Sequence, residues 1–201
     1  KRVLLTGHSG FKGGWLSIWL SQMGAIVTGI SLPPIGAPNL FSIAKIADVV
    51  DSHFIDICDR DAISNLIKRF KPEIVFHLAA QSLVRQSYGD PLTTFDTNVM
   101  GTANILNSLR GIASVKAVVL VTTDKVYKNL ERKEPYSEVD ALGGHDPYSA
   151  SKAASEIIIS SYRDAYLADQ GVGVASARAG NVIGGGDWSP DCLLYTSDAA
   201  D

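Results

Sequence analysis

The chain has 201 residues, of which 46% are hydrophobic, and its 21 acidic and 18 basic side chains give a net charge of -3. This composition predicts a soluble globular domain, and the absence of long runs of one charge sign gives no reason to expect nucleic acid or an anionic membrane as a partner. No apolar run approaches the roughly 18 residues that cross a bilayer and no signal peptide precedes the first apolar segment, so we expect a cytoplasmic location.

The first half of the chain alternates short apolar strands with helical patterns. Apolar residues recur at helical spacing from Trp15 to Met23, a loop rich in Pro and Gly follows the second strand, and Lys71-Pro72 ends the second helix. The predicted strands are Val3–Thr6, Ala25–Ile30, a segment near His53–Ile55, and Ile74–Leu78, and the predicted helices begin near Phe11 and at Asp61.

Two long helices are predicted in the second half. Asp90-Pro91 and Asp146-Pro147 each combine an acidic N-cap with proline at the first helical position, which predicts helices that run to about Leu109 and about Ala168.

The strands of the second half complete the fold prediction. Ala117–Val121 is an uninterrupted apolar run, which is typical of a strand buried on both faces of a parallel sheet, and Val174–Ala177 is the sixth predicted strand. This alternation of strands and helices predicts an α/β fold, a Rossmann-type doubly wound parallel sheet with right-handed crossovers.

The turn after the first strand carries Gly7-x-x-Gly10-x-x-Gly13. A strand that ends at Thr6 and a helix that begins near Phe11 bring free N–H groups and the positive helix end together, where a pyrophosphate can bind. Glycines also mark ordinary tight turns, but the position in the first strand-turn-helix unit favours dinucleotide binding. The residues expected to contact the cofactor here are Gly7, Ser9, Gly10, Phe11, Lys12 and Gly13.

The choice between NAD and NADP is read at the end of the second strand. Gly29-Ile30-Ser31-Leu32 offers neither an acid for the adenosine ribose nor an arginine for a 2′-phosphate, and no basic residue occurs between Ala25 and Ala44. This favours NAD. After the third strand, Asp56-Ile57 is expected to meet the adenine with a carboxylate acceptor and an apolar face, although an Asp at a strand end is also an ordinary turn residue.

Tyr148 and Lys152 lie four residues apart on the helix that begins at Pro147, and therefore on one helix face. Bringing the pKa of a phenol from about 10 to about 7 requires roughly 4 kcal/mol of phenolate stabilisation. A neighbouring ammonium group and the positive nicotinamide ring can supply it, so we expect Tyr148 to act as a base. The alternative is a surface helix with its lysine in solvent.

These features occur together in the order typical of one known family. The glycine turn, Asp56-Ile57, His77-Leu-Ala-Ala80, Asn98 and Tyr148-x-x-x-Lys152 resemble the extended short-chain dehydrogenase/reductase family of NAD-dependent epimerases and dehydratases. Four longer strings look like the group of 4,6-dehydratases that act on cytidine-linked sugars: Thr6–Trp15, Asn39–Phe41, Thr122–Tyr127 and Gly180–Trp188. The resemblance extends to Asp191, and the C-terminal substrate domain of that family is missing.

The resemblance implies an internal redox cycle on a nucleotide sugar. Tyr148 would take the proton of the 4-hydroxyl group while hydride passes to NAD, with Thr123 bonded to the same oxygen, and the hydride would return to C6 after water has left. For the elimination, Asp124 kept protonated would donate to the departing hydroxyl and Lys125, its pKa lowered by burial, would remove the C5 proton. Which of the two is acid and which is base stays open, and Lys125 alone is equally typical of a solvated charge after a strand.

The resemblance also implies further contacts. Leu78, Ala79, Ala80 and Gln81 would line the nicotinamide side, Gln81 and Ser82 would reach the sugar, and Asn181 would bind the substrate pyrophosphate with Arg178 as a second candidate. Asn98 is expected to face inward, either to steady local backbone at the cofactor or as a buried packing residue. His8 is expected to be part of the loop. No metal site is expected, because the other histidines and the two cysteines have no ligand spacing: His53, His77, His145, Cys58 and Cys192.

The predicted long helices, Pro91–Leu109 and Pro147–Ala168, resemble the pair through which this family forms homodimers by a four-helix bundle. The resemblance further implies a place in deoxysugar biosynthesis for lipopolysaccharide O-antigen. Three alternatives remain: a 4-epimerase, a 4,6-dehydratase of another nucleotide sugar, and a non-catalytic NAD-sensing protein, a class that typically loses the tyrosine or the lysine.

The segment Cys192–Asp201 reads as the back-translation of a transposase adapter used in sequencing libraries. We therefore expect residues 1–191 to form a truncated NAD-binding Rossmann domain and residues 192–201 to be adapter read-through. The chain by itself is expected to be inactive.

Overall fold

The computed structural model describes residues 1–190 and Cys192. In this part of the chain six strands form one sheet in the order β3-β2-β1-β4-β5-β6, and every neighbouring pair is parallel. The order reverses direction between β1 and β4, as in two wound halves that start from the centre, which confirms the predicted Rossmann-type α/β fold. The strands are β1 (Arg2–Thr6), β2 (Ile26–Ser31), β3 (Asp51–Phe54), β4 (Ile74–His77), β5 (Ala117–Thr123) and β6 (Gly173–Ala179).

The helices confirm the long segments predicted from the sequence and add short ones. The segment predicted as Pro91–Leu109 is helical from Pro91 to Ser108. Its middle turn, Asp96–Met100, is π-helical. The last long helix likewise continues from α7 into a π-helical segment, Arg163–Leu167. The helices are α1 (Phe11–Gln22), α2 (Leu40–Ile43), α3 (Arg60–Phe70), α4 (Val84–Gly89), α5 (Pro91–Phe95), α6 (Gly101–Ser108) and α7 (Pro147–Tyr162). The short helices α2 and α4 were missed because they hold too few residues for a periodic pattern.

Two acidic N-caps begin the helices as predicted. The Asp90 carboxylate accepts from the Thr93 N–H, and the Asp146 carboxylate accepts from the Ser149 N–H. Each carboxylate satisfies a backbone donor that the helix itself leaves unpaired.

Two apolar clusters cover the two faces of the sheet. One face buries Leu4, Val75 and Leu120 with residues of the helices on that side, including Leu106 and Ile159. The other face buries Val3, Leu5 and Val27 against α1 and the segment after α2. A parallel sheet covered on both faces explains why its central strands are nearly continuous apolar runs.

One strip of the sheet is less well covered. On β5 and β6, Leu120 and Val174 pack into the cluster around α7, so the alternate residues point to the opposite face. There Val119 and Val121 are only half-buried, and Ala175 and Ala177 are exposed. This leaves an apolar strip in contact with solvent.

Among residues 1–190 and 192, no helix has the length and apolar character needed to cross a membrane. The predicted read-through segment lies outside the described residues except for Cys192, whose N–H donates to the Ser189 carbonyl.

The apolar strip on β5 and β6 predicts that the 201-residue chain binds the dye 8-anilinonaphthalene-1-sulfonate, because contiguous exposed apolar area binds such ligands. Replacing Val119 with Thr and Ala177 with Ser together should reduce the dye fluorescence. Ile35→Thr is the matched control, because Ile35 is 92% exposed but lies in a loop away from the strip. An equal reduction with the control variant would show that the strip is not the binding surface.

Candidate active site

The predicted site residues converge at the carboxyl ends of the strands. The glycine turn follows β1, the segment that starts at Leu78 follows β4, and a 3₁₀ turn, Asp124–Val126, follows β5. In a doubly wound sheet ligands bind at this edge, where the strand order reverses between β1 and β4. The first residues of α7 complete the site.

The glycine turn has the shape of an anion site. Gly7 has a φ of +80°, and a Cβ there would lie 2.8 Å from the Ala79 nitrogen, while a Cβ at Gly13 would lie 2.0 Å from the Gly7 oxygen. A Cβ at Gly10 would meet only the Gly7 oxygen, at 3.4 Å, so this glycine leaves open space in front of α1. No side chain caps the first N–H groups of α1. These donors and this space fit a phosphate group.

Thr6 joins the glycine turn to the end of β4. Its hydroxyl oxygen accepts from the N–H groups of Leu78 and Ala79, both at 3.0 Å, and lies 2.7 Å from His77 Nδ1. Burial, with a smaller effect of the Lys152 charge, lowers the pKa of His77 to about 3, so the imidazole is neutral. The Thr6 hydroxyl then donates to Nδ1, and the Nε2–H group donates to the Thr102 hydroxyl. His77 therefore has a structural role.

Asn98 connects the loop after β4 to α7 and faces inward, as predicted. Its side chain is 1% exposed and lies in the π-helical segment, a feature frequent at functional sites. The carboxamide accepts from the Gln81 N–H at 2.8 Å and donates to the Gln81 carbonyl at 3.0 Å and to the Ser151 hydroxyl at 2.8 Å. Asn98 therefore holds both backbone groups of Gln81, which is the backbone-steadying arrangement expected from the sequence.

The sequence predicts that the Gln81 side chain reaches the sugar, but in the structure this side chain turns into its own loop. Its amide nitrogen donates to the Leu83 carbonyl and the Thr94 hydroxyl, and its oxygen accepts from the Leu83 N–H. The carboxamide is thus used inside the loop, because the chain turns back there into α4. Ser82, beside it, is exposed.

Tyr148 and Lys152 are both buried at the start of α7, 9% and 6% exposed. Lys152 Nζ donates to the Val121 carbonyl on β5 at 3.1 Å. Burial raises the pKa of the Tyr148 phenol, and a hydrogen bond with Thr123 opposes that rise only in part. The groups of the protein by themselves therefore do not bring the pKa of the phenol towards neutrality, because burial outweighs the Thr123 hydrogen bond.

Three lysines face the same region. Burial and the charge of Lys12 lower the pKa of Lys152 to about 8. Burial and the charge of Lys125 lower the pKa of Lys12. Like charges that repel one another in this way are stabilised by an anion bound between them.

Asp124 and Lys125 form an ion pair in the 3₁₀ turn after β5. Lys125 Nζ donates to Asp124 Oδ1 at 3.3 Å and to Asn181 Oδ1 at 3.2 Å. The side chains of Lys125 and Asp124 are 40% and 54% exposed, so the burial expected for Lys125 is wrong. A turn at the open edge of the sheet presents both groups to solvent or to a ligand.

Arg178 is used inside the protein rather than for a ligand, which corrects its assignment to the substrate. Its guanidinium pairs with the buried Glu156 carboxylate at 3.1 Å and lies 5.0 Å above the ring of Tyr127. Glu156 also accepts from Thr122 at 2.5 Å and Ser176 at 2.8 Å. Burial alone would raise the pKa of Glu156, but the bonds from Arg178, Thr122 and Ser176 lower it.

Glu156 was missed in the sequence. It lies one helical turn after Lys152, and that spacing is the only local signal of a second buried charge on this helix face.

Residues 4–182 match the sequence pattern of the family described as GDP-mannose 4,6 dehydratase. The chain belongs to this family.

Relatives of known name support this membership. A CDP-glucose 4,6-dehydratase from Salmonella typhimurium is 50% identical over 96% of this chain, which covers 55% of that protein. A UDP-glucose 4-epimerase from Mycolicibacterium smegmatis is 36% identical over 84% of this chain and 53% of its own length. The structure of a dTDP-glucose 4,6-dehydratase from Bacillus anthracis in complex with NAD is 25% identical, with a TM-score of 0.81, over 98% of this chain and 61% of that one. The chain thus spans about half the length of the curated relatives it matches.

In this dehydratase-family chain, the predicted adenine contacts are only partly presented to a ligand. Asp56 accepts from the Cys58 N–H at 2.8 Å, which is the ordinary turn role, and remains exposed. Ile57 is 4% exposed and packs against Gly101, where a Cβ would lie 2.5 Å from its side chain. The expectation of an apolar Ile57 face for the adenine is therefore wrong, because the core takes up that side chain.

The two remaining residues of the turn have contacts of their own. The Ser9 hydroxyl donates to the Leu32 carbonyl at 2.8 Å. Phe11 lies beside Gly184, in the segment after β6, and Trp15 donates to the Gly185 carbonyl at 2.9 Å. The segment after β6 therefore crosses the beginning of α1.

His8 is more than a loop residue. It is fully buried, with Nε2 2.6 Å from the Ser52 hydroxyl and Nδ1 3.1 Å from the Ser31 hydroxyl. A Cβ at Gly29 would lie 2.4 Å from the imidazole. His8 thus joins the glycine turn to the end of β2 and to β3, a role that no motif in the sequence indicates. Within residues 1–190 and 192, no three His, Cys, Asp or Glu side chains are placed to hold a metal ion.

Gly13→Ala should lower the free energy of unfolding by about 2 kcal/mol or more, because the new Cβ would overlap the Gly7 carbonyl and force the turn apart. Gly89→Ala is the control, since nothing lies within 4 Å of its Cβ position. Urea unfolding of both variants measures the difference. Equal stabilities would mean that the turn is not tightly packed.

Lys152→Met should stabilise the free protein at pH 7. Folding lowers the lysine pKa from 10.5 to about 8, so between those values the unfolded chain binds a proton that the native protein lacks, and wild-type stability rises with pH. The increase in the free energy of unfolding is at most roughly 3 kcal/mol, and loss of the hydrogen bond to Val121 reduces it. This increase should become smaller from pH 8 to pH 10.5. Lys68→Met, at an exposed position, serves as control. If urea unfolding showed that the stability difference between Lys152→Met and wild type does not change with pH, the lowered pKa of Lys152 would be contradicted.

Proposed function

We propose that this protein is an NAD-dependent hydro-lyase that converts CDP-glucose to CDP-4-dehydro-6-deoxy-glucose. The observation that carries the proposal is the Asp124–Lys125 pair, 3.3 Å apart, at the end of the strand whose Thr123 hydrogen-bonds Tyr148. Elimination of water requires an acid and a base, and here they lie next to the phenol that takes the proton of the alcohol during its oxidation. The 50% identity to a CDP-glucose 4,6-dehydratase supports the choice of substrate.

NAD is the cofactor that the turn after β1 supports. Gly7, Gly10 and Gly13 leave room for a pyrophosphate before α1, and Lys12 adds a positive charge there. The end of β2 carries Ser31 bonded to His8, with no basic side chain for a 2′-phosphate. When bound, NAD accepts a hydride from the substrate and later returns it. The proposed contacts are Gly7, Ser9, Gly10, Phe11, Lys12, Gly13, Asp56, Ile57 through its backbone, Leu78, Ala79, Ala80, Gln81, Tyr148 and Lys152, with Asn98 acting through Gln81.

In the oxidation step, Tyr148 takes the proton of the sugar 4-hydroxyl group as hydride leaves C4. Thr123 bonds the same oxygen and keeps it beside the phenol. The Lys152 ammonium stabilises the phenolate, and its bond to the Val121 carbonyl keeps it on that side of α7. Phosphate groups near Lys12 would raise the pKa of Lys152, because they would offset the repulsion by Lys12 that adds to burial in lowering it.

In the elimination step, the 4-ketone acidifies the C5 hydrogen. Lys125 in its neutral form takes that proton, the C–H electron pair forms the C5–C6 double bond, and the C6–oxygen bond breaks. Asp124 in its protonated form gives its proton to the departing oxygen, which leaves as water. The reactive neutral forms arise when the Lys125 ammonium passes one proton to the paired Asp124 carboxylate, and the elimination regenerates the charged pair.

The assembly and the biological setting are also proposed. Apolar side chains remain exposed on α5, the π-helical segment after it and α7, with Leu92 80%, Met100 51% and Ile157 62% exposed. They support a homodimer through a four-helix bundle. A cytoplasmic location and a place in deoxysugar biosynthesis for O-antigen follow from the proposed reaction and rest on it. Ser82 remains the proposed contact to the sugar.

Two other functions use the same fold. A 4-epimerase, the activity of the Mycolicibacterium smegmatis relative, uses a tyrosine and lysine but has no need of the Asp124–Lys125 pair. An NAD-sensing protein has no need of Tyr148 and Lys152, which are both present and buried here.

The test is incubation, with CDP-glucose and NAD, of a complete protein of the length of the relatives that contains this sequence. We expect a product lighter than the substrate by one water, detected by mass spectrometry. An isomer of unchanged mass would indicate an epimerase, and no reaction would contradict the proposal. The 201-residue chain alone should give no turnover, since the relatives are about twice as long.

Lys125→Met in the complete protein should still oxidise C4 but release dehydrated product at least 100-fold more slowly, because loss of a general base typically costs 10² to 10⁴ in rate. Trapped NADH absorbance reports oxidation, and mass spectrometry reports dehydration. Lys128→Met, in the loop that follows, is the control. Normal dehydration by the Lys125 variant would rule out this lysine as the base.

A further inference from the structure

The Lys125 ammonium is held by acceptors from the ends of two different strands. Asp124 Oδ1, in the turn after β5, is 3.3 Å away, and Asn181 Oδ1, two residues after β6, is 3.2 Å away. The family resemblance implies that Asn181 binds the substrate pyrophosphate. In the structure its amide oxygen accepts from Lys125.

We propose that Asn181 is a positioning residue that orients Lys125 for removal of the C5 proton. This inference rests on the proposed function. Asn181 acts through Lys125, and its neutral amide oxygen supplies direction without adding charge.

Asp124 by itself leaves the lysine free to turn. A lysine side chain is long and flexible, and that of Lys125 is 40% exposed, so a neighbouring carboxylate alone does not set the direction of the ammonium group. A second acceptor from the segment after β6, 56 residues further along the chain, restricts that freedom.

The end of β6 is well placed for this role. β6 pairs with β5 up to Thr123 and Ala179, and the Arg178–Glu156 ion pair joins β6 to α7. A Cβ at Gly180 would lie 3.6 Å from Asp124 Oδ2, so the segment after β6 runs directly beside the acid. Asn181 therefore follows a paired strand by two residues and lies next to the turn that carries Asp124 and Lys125.

The amide also suits the chemistry. Lys125 takes the C5 proton only when it is neutral, and a carboxylate in place of Asn181 would hold it in the charged form. The charged groups that face Lys125 are Asp124 from its own turn and Lys12 from α1. A neutral third partner adds no further charge to this set.

The test compares Asn181→Ala and Asn181→Asp in the complete protein with Asn65→Asp, an exposed residue of α3, as control. Folding of each variant is checked by its thermal unfolding midpoint. For Asn181→Ala we expect kcat for dehydration to fall at least tenfold more than the rate of 4-oxidation, with KM within about threefold of wild type. For Asn181→Asp we expect the rise of the dehydration rate with pH to move up by about one pH unit, because the added carboxylate keeps the lysine protonated.

Three results would go against the inference. A large rise in KM with kcat retained would show that Asn181 binds the pyrophosphate. Equal losses of dehydration rate in both Asn181 variants, without a pH shift, would show a merely structural role. Each of these two results overturns the inference but leaves the proposed function standing. A wild-type protein that forms no dehydrated product overturns the proposed function and the inference with it.

Discussion

The position of α7 against the end of β5 determines where the groups of the candidate site lie. Two side chains on one face of the helix make the connection: Lys152 donates to the Val121 carbonyl and Glu156 accepts from the Thr122 hydroxyl. Because Val121 and Thr122 directly precede Thr123, these bonds hold Tyr148 beside Thr123. A buried carboxylate is costly unless it is paired, and the bonds from Ser176 and Arg178 meet that condition while they add β6 to the same unit.

The cofactor side of the site depends on a second close contact, between the glycine turn and the end of β4. Gly7 lies against Ala79 so tightly that a Cβ would meet the backbone nitrogen at 2.8 Å, and the Thr6 hydroxyl holds the same segment. Asn98 then joins that segment to α7 through Gln81 and Ser151. The glycine turn and α7 are therefore linked, through the segment after β4, by buried and partly buried hydrogen bonds.

The charged forms of the groups at the start of α7 are disfavoured in the protein without ligand. Burial and repulsion lower the pKa of Lys152 to about 8, and burial raises the pKa of Tyr148. Both shifts oppose the charged forms that the proposed oxidation uses. A pyrophosphate near Lys12 and a positive nicotinamide near Tyr148 would each supply the missing opposite charge. Strongly shifted titratable groups in one cleft are typical of functional sites, where stability is lost for the sake of activity.

The sequence by itself determined the strand-helix alternation, the acidic caps at Asp90 and Asp146 and the place of the glycine turn, because apolar periodicity and capping are local properties of the chain. Motif spacing likewise located Tyr148 and Lys152. Only the tertiary structure decided what each polar side chain contacts: Arg178 pairs with Glu156, the Gln81 amide turns into its own loop, Ile57 enters the core, and Asn181 meets Lys125. Most of these partners come from different elements, and the exposure of Lys125 depends on how the turns after β5 and β6 lie side by side. Such contacts are set by the packing of the whole sheet, which no local pattern encodes.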